Sequence, residues 1–234
     1  MNRPSKGKET PRHCDADTWR HADCGSCVVR QRMLFAGVDL DAATHLLQSV
    51  VHSWHQAGAA LYLLGDNPQY VYSIRRGVVK LSLMTADGEL RSVRLAGPGT
   101  TIGLEALTQT RYQHTAEALT PADICRIPVR SVNQLAIEQP LLCKQLMTQW
   151  QEQLAQADTH LLELATGQLA ERVRKLLLMI DALCKKGGTA FVLPSNPDCA
   201  ALVSARVESV SRVMAELKRS GFLHRENGGG WTPA

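Results

Sequence analysis

No stretch of the chain reaches the roughly 18 consecutive apolar residues that a membrane span requires. The opening residues MNRPSKGKETPRHC lack the apolar run of a secretory signal. Both absences point to a cytoplasmic protein with no membrane partner. There is also no phosphate-binding glycine loop and no nucleophile-base set, which leaves little support for an enzyme. Nor is there a disulfide framework, since the cysteines number seven, and an odd set in a reducing compartment is read as free thiols or metal ligands. What remains is a chain of 234 residues, 44% hydrophobic, enough for one large domain or two modest ones.

The charge is unevenly placed. Residues 166–234 hold ten Lys/Arg against six acids, whereas residues 1–165 hold sixteen of each, so the whole net charge of +4 lies at the C-terminal end. That end also carries the most informative pattern. Ser195 and Asp198 stand at capping-box spacing with Pro197 between them, which starts a helix. Ser204, Ala205 and Arg206 break it, and Val207, Val210, Val213, Met214 and Leu217 then recur at helical spacing until Gly221. Two short helices with a tight turn read as a helix-turn-helix. Ser204 stands where many such turns use glycine for a left-handed backbone.

Glu208, Ser211 and Arg212 lie opposite the apolar stripe, with Ser209 beside them, where a recognition helix presents side chains to base edges. Arginine forks onto guanine, glutamate accepts from cytosine and serine serves base or phosphate, while Arg206 is placed for a phosphate. A merely solvated helix face is the alternative. The basic surround favours double-stranded DNA. Leu223–Arg225 and Trp231–Thr232 flank Asn227-Gly-Gly-Gly230, the signal of a hairpin wing.

Upstream the periods change twice. Residues 1–32 form a polar arm with no periodicity, disordered if left alone. The arm carries Cys14 and a CxxC, Cys24 and Cys27, whose spacing lets two thiolates reach one metal centre or serve thiol-disulfide chemistry. Leu40–Ser53 reads as a short amphipathic helix. From Ala59 to Pro128 short runs rich in β-branched residues alternate with turns such as Arg76-Gly77 and Gly97-Pro-Gly99, the pattern of an antiparallel sandwich, barrel or jelly roll. Met147, Trp150, Leu154, Ala157, Leu161 and Leu164 then alternate steps of three and four, an a/d seam. Either the chain's own β-domain or a second copy covers that seam; its narrowness, and the two-fold symmetry of operators, favour a homodimer. The chain divides into an arm (1–32), a β-roll sensor domain (33–140), a dimerisation helix (141–165) and a DNA-binding domain (166–234).

This order of parts resembles the CRP/FNR family of bacterial transcription regulators, closest to its oxygen-responsive FNR branch. The resemblance is carried by Tyr72-Ser-Ile-Arg-Arg-Gly77, Leu95-Ala-Gly97, Asp123-Ile-Cys-Arg-Ile-Pro128 and Glu208-Ser-Val-Ser-Arg212. It implies an α+β protein: an N-terminal antiparallel β-roll of the jelly-roll, cyclic-nucleotide-binding-like kind, a long dimerisation helix and a C-terminal winged helix-turn-helix. It also implies a palindromic operator of the TTGAT type, with RNA polymerase as a further partner. Nucleotide-binding members place an arginine in the phosphate cassette. Here the stretch reads Ile102-Gly-Leu-Glu105 followed by His114-Thr115, so a buried phosphate would lack its counter-charge and cyclic nucleotide is not expected.

FNR-type proteins hold a 4Fe-4S cluster instead. Cys24, Cys27 and Cys125 match three of the ligands by resemblance, but after a five-residue gap the next ligand position is Met33. Cys14 is the remaining N-terminal thiol and the candidate for the fourth bond. A thiol switch, a 2Fe-2S site, or a haem held by one of His45, His52 and His55 are alternatives, as is a thiol-disulfide oxidoreductase using Cys24 and Cys27. Cys143, Cys184 and Cys199 read as small buried hydrophobes.

Overall fold

The computed structural model describes residues 19–27, 29–88, 90–225 and 230–234. Two antiparallel sheets enclose a first core. One has the order β1 (Arg20–His21), β2 (Val51–His55), β9 (Ala122–Pro128), β4 (Tyr70–Arg76), β7 (Thr101–Ile102). The other runs β3 (Ala60–Tyr62), β8 (Thr115–Ala118), β5 (Val79–Met84), β6 (Leu90–Ala96). Ile74 and Ile124 are register partners in the first sheet, as are Leu81 and Ala116 in the second, and all four are buried in this core. Turn chemistry fixes the roll: Gly77 has φ +82°, and a Cβ there would come within 2.3 Å of the Pro121 carbonyl oxygen.

The helix expected over Leu40–Ser53 is shorter. α1 spans Leu40–Leu47, capped by the Asp39 carboxylate, which accepts from the amides of Asp41 (3.0 Å) and Ala42 (3.3 Å). The chain then turns into β2, which pairs with β9 from Val51↔Arg126 to His55↔Ala122. The apolar spacing of Leu46, Leu47 and Val50 continues the helical pattern, but a sheet partner about 70 residues on claims the backbone from Val51. The arm is not featureless either. Arg20 and His21 add β1 to β2, and Trp19 packs edge-on against His55 with the Arg126 guanidinium 4.3 Å from its ring.

After α2 (Val129–Glu138), Pro140 precedes α3 (Leu141–Ala165), which coincides with the expected dimerisation helix. Met147, Trp150, Leu154 and Leu161 of the expected seam are 74, 49, 61 and 64% exposed in the single chain, and Ala157 is half-buried. Leu164 departs from the seam. It is fully buried in a second core with Leu176 and Leu177 of α4 (Leu169–Lys186), because the C-terminal turn of α3 packs onto its own DNA-binding unit.

That unit continues with α5 (Asn196–Leu202), α6 (Val207–Arg219) and the hairpin β10 (Leu223–Arg225) with β11 (Trp231–Pro233). Val78, Leu95 and Leu119 of the roll enter its core, and at Gly97 a Cβ would meet Leu183 of α4 at 2.6 Å. Roll and DNA-binding unit therefore meet through apolar side chains. Among the described residues no helix is long and apolar enough to cross a membrane.

Candidate sulfur centre and nucleic-acid interface

Three separate elements bring sulfur to one place. Cys24 lies in a turn that the Asp23 carboxylate holds by accepting from Gly25 N (3.0 Å), Ser26 N (3.3 Å) and Ser26 Oγ (2.7 Å); those bonds, Ser26's first, keep Asp23 below the usual carboxylate range. Cys27 precedes a 3-10 turn at Arg30–Arg32, and Cys125 is on β9 opposite Ser73 of β4. Cys24, Cys27 and Cys125 line one pocket together with Met33, Phe35 and Arg75. Cys14 lies outside the described residues.

The lining is mostly apolar, and its electrostatics follow from that. Burial pushes the Cys125 thiol up to about 12 despite the Arg75 charge nearby, and burial raises Cys24 with smaller contributions from Cys27 and Asp23. This is the wrong direction for a thiol-disulfide nucleophile, which needs its thiolate stabilised. A metal centre reverses it, since a bound cation deprotonates the thiols that hold it. Arg75 is positioned by Asp123, Nη1 to Oδ2 at 3.3 Å, and Asp123 also receives His52 Nδ1 at 3.0 Å.

Among the described residues no group of three or more His, Cys, Asp or Glu stands at the spacing of ligands on a single metal ion. A cluster distributes its thiolates over several irons and takes them further apart. Soft sulfur donors around an apolar wall are the set that iron-sulfur clusters select. The residues fit such a group.

Residues with no sequence signal connect this pocket to α3. Gln149 is buried: its Oε1 accepts from Thr101 N at 3.1 Å, and its Nε2 donates to Arg32 O at 3.1 Å and Gly99 O at 3.4 Å. Gln153, one turn on, donates to Thr101 O at 2.7 Å and receives Arg94 Nη1 at 3.3 Å. The 3-10 turn between Cys27 and Met33 is thus hydrogen-bonded to the helix that carries the seam. A glutamine inside an a/d repeat looks like any solvated position, and burial alone reveals it.

At the other end, the turn of the helix-turn-helix is built as its residues indicate. Ser195 Oγ caps α5 by accepting from Asp198 N at 3.2 Å, and Ser204 takes the left-handed conformation at φ +51°. Arg172 Nη1 pins the turn through Val203 O at 2.9 Å. Glu208, Ser211 and Arg212 are exposed on the first two turns of α6, Ser209 is half-buried and Arg206 is the exposed residue before the helix. Val207 leaves the apolar stripe: it is 41% exposed, because the first turn of α6 stands clear of the second core, whereas Val210, Met214 and Leu217 are buried.

Lys80 of β5 is a further residue with no sequence signal. Its ammonium bridges Glu117 of β8 (2.8 Å) and Asp198 of α5 (2.5 Å), tying the first helix of the DNA-binding pair to the roll. In the stretch that corresponds to a nucleotide phosphate cassette, Gly103 (φ +73°) opens a 3-10 turn at Leu104–Leu107, and Glu105 Oε1 meets His114 Nδ1 at 3.4 Å. No arginine stands at 114–115 to pair a phosphate.

Comparison with known proteins agrees with this build. Residues 53–139 match the cyclic nucleotide-binding domain. Transcriptional regulator LdrP of Thermus thermophilus is 29% identical over 168 residues, covering 70% of this chain and 82% of that protein. Transcriptional activator protein FnrA of Stutzerimonas stutzeri is 27% identical over 173 residues, covering 72% and 71%. Among solved structures, a transcriptional regulator of the CRP family, also from Thermus thermophilus, superposes with a TM-score of 0.62 at 25% identity, covering 74% of this chain and 88% of that one. The chain carries a cyclic nucleotide-binding domain and is similar to CRP/FNR-type transcription regulators. It has a roll, a long helix and a winged helix-turn-helix in that order, and the sulfur pocket lies on the roll face beside the long helix.

Proposed function

We propose that this CRP/FNR-type transcription regulator works as a homodimer joined along α3, reads a TTGAT-like inverted repeat with α6, and responds to oxygen, nitric oxide or redox state through an iron-sulfur cluster, read as 4Fe-4S, at Cys24, Cys27 and Cys125. The observation that supports it is the convergence of those three cysteines, two of them about a hundred residues from the third, beside a turn that Gln149 bonds to α3. When bound, the cluster supplies the oxidant-sensitive chemistry. The chain's own residues do the rest: Arg75 places a positive charge beside thiolates, the apolar wall keeps water from them, and Gln149 makes the position of residues 30–32 a condition on the packing of α3.

On α6, Arg212 is assigned to guanine, Glu208 to cytosine, Ser209 and Ser211 to bases or phosphate, and Arg206 to phosphate. RNA polymerase is the protein partner, the cytoplasm the compartment, and activation the direction, as the name of the relative FnrA has it for that protein. Cyclic nucleotide has no part in this reading, since the cassette stretch has His114-Thr115 where an arginine would pair the phosphate, and no catalytic role is assigned to any residue.

The test is anaerobic purification of the full chain, measurement of iron, acid-labile sulfide and visible absorption, and operator binding before and after air. The expected outcome is a coloured protein whose affinity for the inverted repeat falls on exposure. A colourless protein, free of iron and sulfide, that binds the operator equally in both states ends the sensing part of the reading.

A further inference from the structure

The sulfur pocket holds a fourth sulfur that is not a cysteine. Met33 is 7% exposed and lines the pocket with Cys24, Cys27 and Cys125, and the Cys27 thiol points at its thioether, Sγ to Sδ 3.7 Å. Its backbone is held on both sides. Met33 N donates to Arg30 O at 3.0 Å to close the 3-10 turn, and the preceding carbonyl, Arg32 O, accepts from Gln149 on α3. Gly99 of the roll abuts Arg32 so closely that a Cβ there would lie 2.8 Å from the arginine's own Cβ. A leucine at position 33 would fill the same space. The presence of sulfur, in contact with a thiol and facing two more, is what packing leaves unexplained.

Resting on the sulfur-centre reading above, we propose that the Met33 thioether is the fourth ligand of the cluster, completing a set of three thiolates and one thioether, in place of Cys14. Thioethers bind iron in other settings, as the methionine ligand of c-type cytochromes does, and soft sulfur of either kind suits iron-sulfur chemistry. The neutral donor has two consequences. It binds without releasing a proton, and it leaves the ligand set one negative charge short of four thiolates, in a pocket that already contains the Arg75 guanidinium. Lower negative charge at a cluster raises its reduction potential. The bond to Met33 is also the weakest of the four, and it is made by the residue next to the Arg32–Gln149 hydrogen bond.

The experiment uses the full chain, labelled with selenomethionine and purified without oxygen, and reads selenium X-ray absorption alongside iron and sulfide content. The chain has six methionines, so the expected result is iron as a near neighbour of about one selenium in six. That signal disappears in Met33→Leu and persists in Cys14→Ala, whose iron and sulfide match the parent. Met33→Cys supplies the missing charge and is expected to keep the cluster while lowering its reduction potential. If iron and sulfide are present but no selenium sees iron, or if Cys14→Ala loses the cluster while Met33→Leu keeps it, Met33 is a packing residue and the sulfur-centre reading survives without it. If the parent protein holds neither iron nor sulfide, the sulfur-centre reading has failed and this proposal falls with it.

Discussion

The two faces of α3 invert the pattern of an ordinary surface helix, whose apolar stripe faces the core and whose polar side faces water. Here the side packed on the roll carries Gln149, Gln153 and His160, all buried, while Met147, Trp150, Leu154 and Leu161 stand exposed in the single chain. Apolar contact is non-directional and tolerates sliding, whereas satisfied buried amides fix a register. The inner face therefore sets where α3 lies on the roll, bond by bond, and the outer face offers area to a second copy. Because Gln149 reaches both Thr101 and Arg32, its register is set on one side by the roll and on the other by the turn leading to Met33.

Breaking the outer face should produce the largest effect. Trp150→Glu with Leu154→Glu places carboxylates at the centre of the expected helix-helix contact, where each would be desolvated without a partner, at a cost of several kcal/mol. At about 1.4 kcal/mol per tenfold, the dimer dissociation constant should rise by more than about 100-fold, and operator binding should fall with it. Since both side chains are exposed in the single chain, the thermal midpoint of the monomer should barely move. Sedimentation equilibrium checks this; a variant that stays dimeric assigns the stripe to something other than self-association.

The inner face tests the other half of the contrast. Gln149→Leu keeps approximate volume and removes an amide that satisfies Thr101 N, Arg32 O and Gly99 O. Buried backbone groups left unpaired cost about 1–3 kcal/mol each before relaxation, so about 2 kcal/mol of stability should be lost, or roughly 2–4 °C of midpoint per kcal/mol in a chain this size. Dimerisation should be nearly intact, in contrast to the outer-face variant. If the parent protein shows an air-dependent change in operator binding, the variant should show less of it, because the sulfur-bearing turn has lost its bond to the helix.

These differences also explain what could be read without coordinates. The span of α3 follows from Pro140 and the a/d repeat, the cap of α5 from Ser195 and Asp198, and the strained turn from Ser204, since each is a local property of a few residues. β2 was hidden because Val50 continues a helical apolar pattern and only pairing with β9 overrules it. Leu164 matched the seam in spacing but belongs to the second core, which no period reveals. The Lys80 bridge joins residues 118 positions apart, and Gln149 is chemically like any exposed glutamine. Cys24 and Cys27 were visible as a pair, but their closeness to Cys125 came from family resemblance and not from any pattern in the chain.

The smallest expected effect sharpens the inner face at its C-terminal end. His160 is buried, burial lowers its pKa against hydrogen bonds with the backbones of Leu202 and Ser92, and Nδ1 has no partner among the described residues. A histidine whose pKa is lower folded than unfolded is neutral in both states above the unfolded value, about 6.5, so its burial carries no protonation penalty there. As pH falls through 6.5 towards the folded value, the unfolded chain takes up a proton that the folded one does not, and stability declines by at most about 1.4 kcal/mol per pH unit. Urea titrations of the parent and of His160→Gln at pH 8 and pH 5.5 measure it: the parent should lose more stability than the variant over that interval. Parallel losses would mean that the His160 ring takes up its proton as readily in the folded chain as in the unfolded one, and that its burial carries no protonation cost.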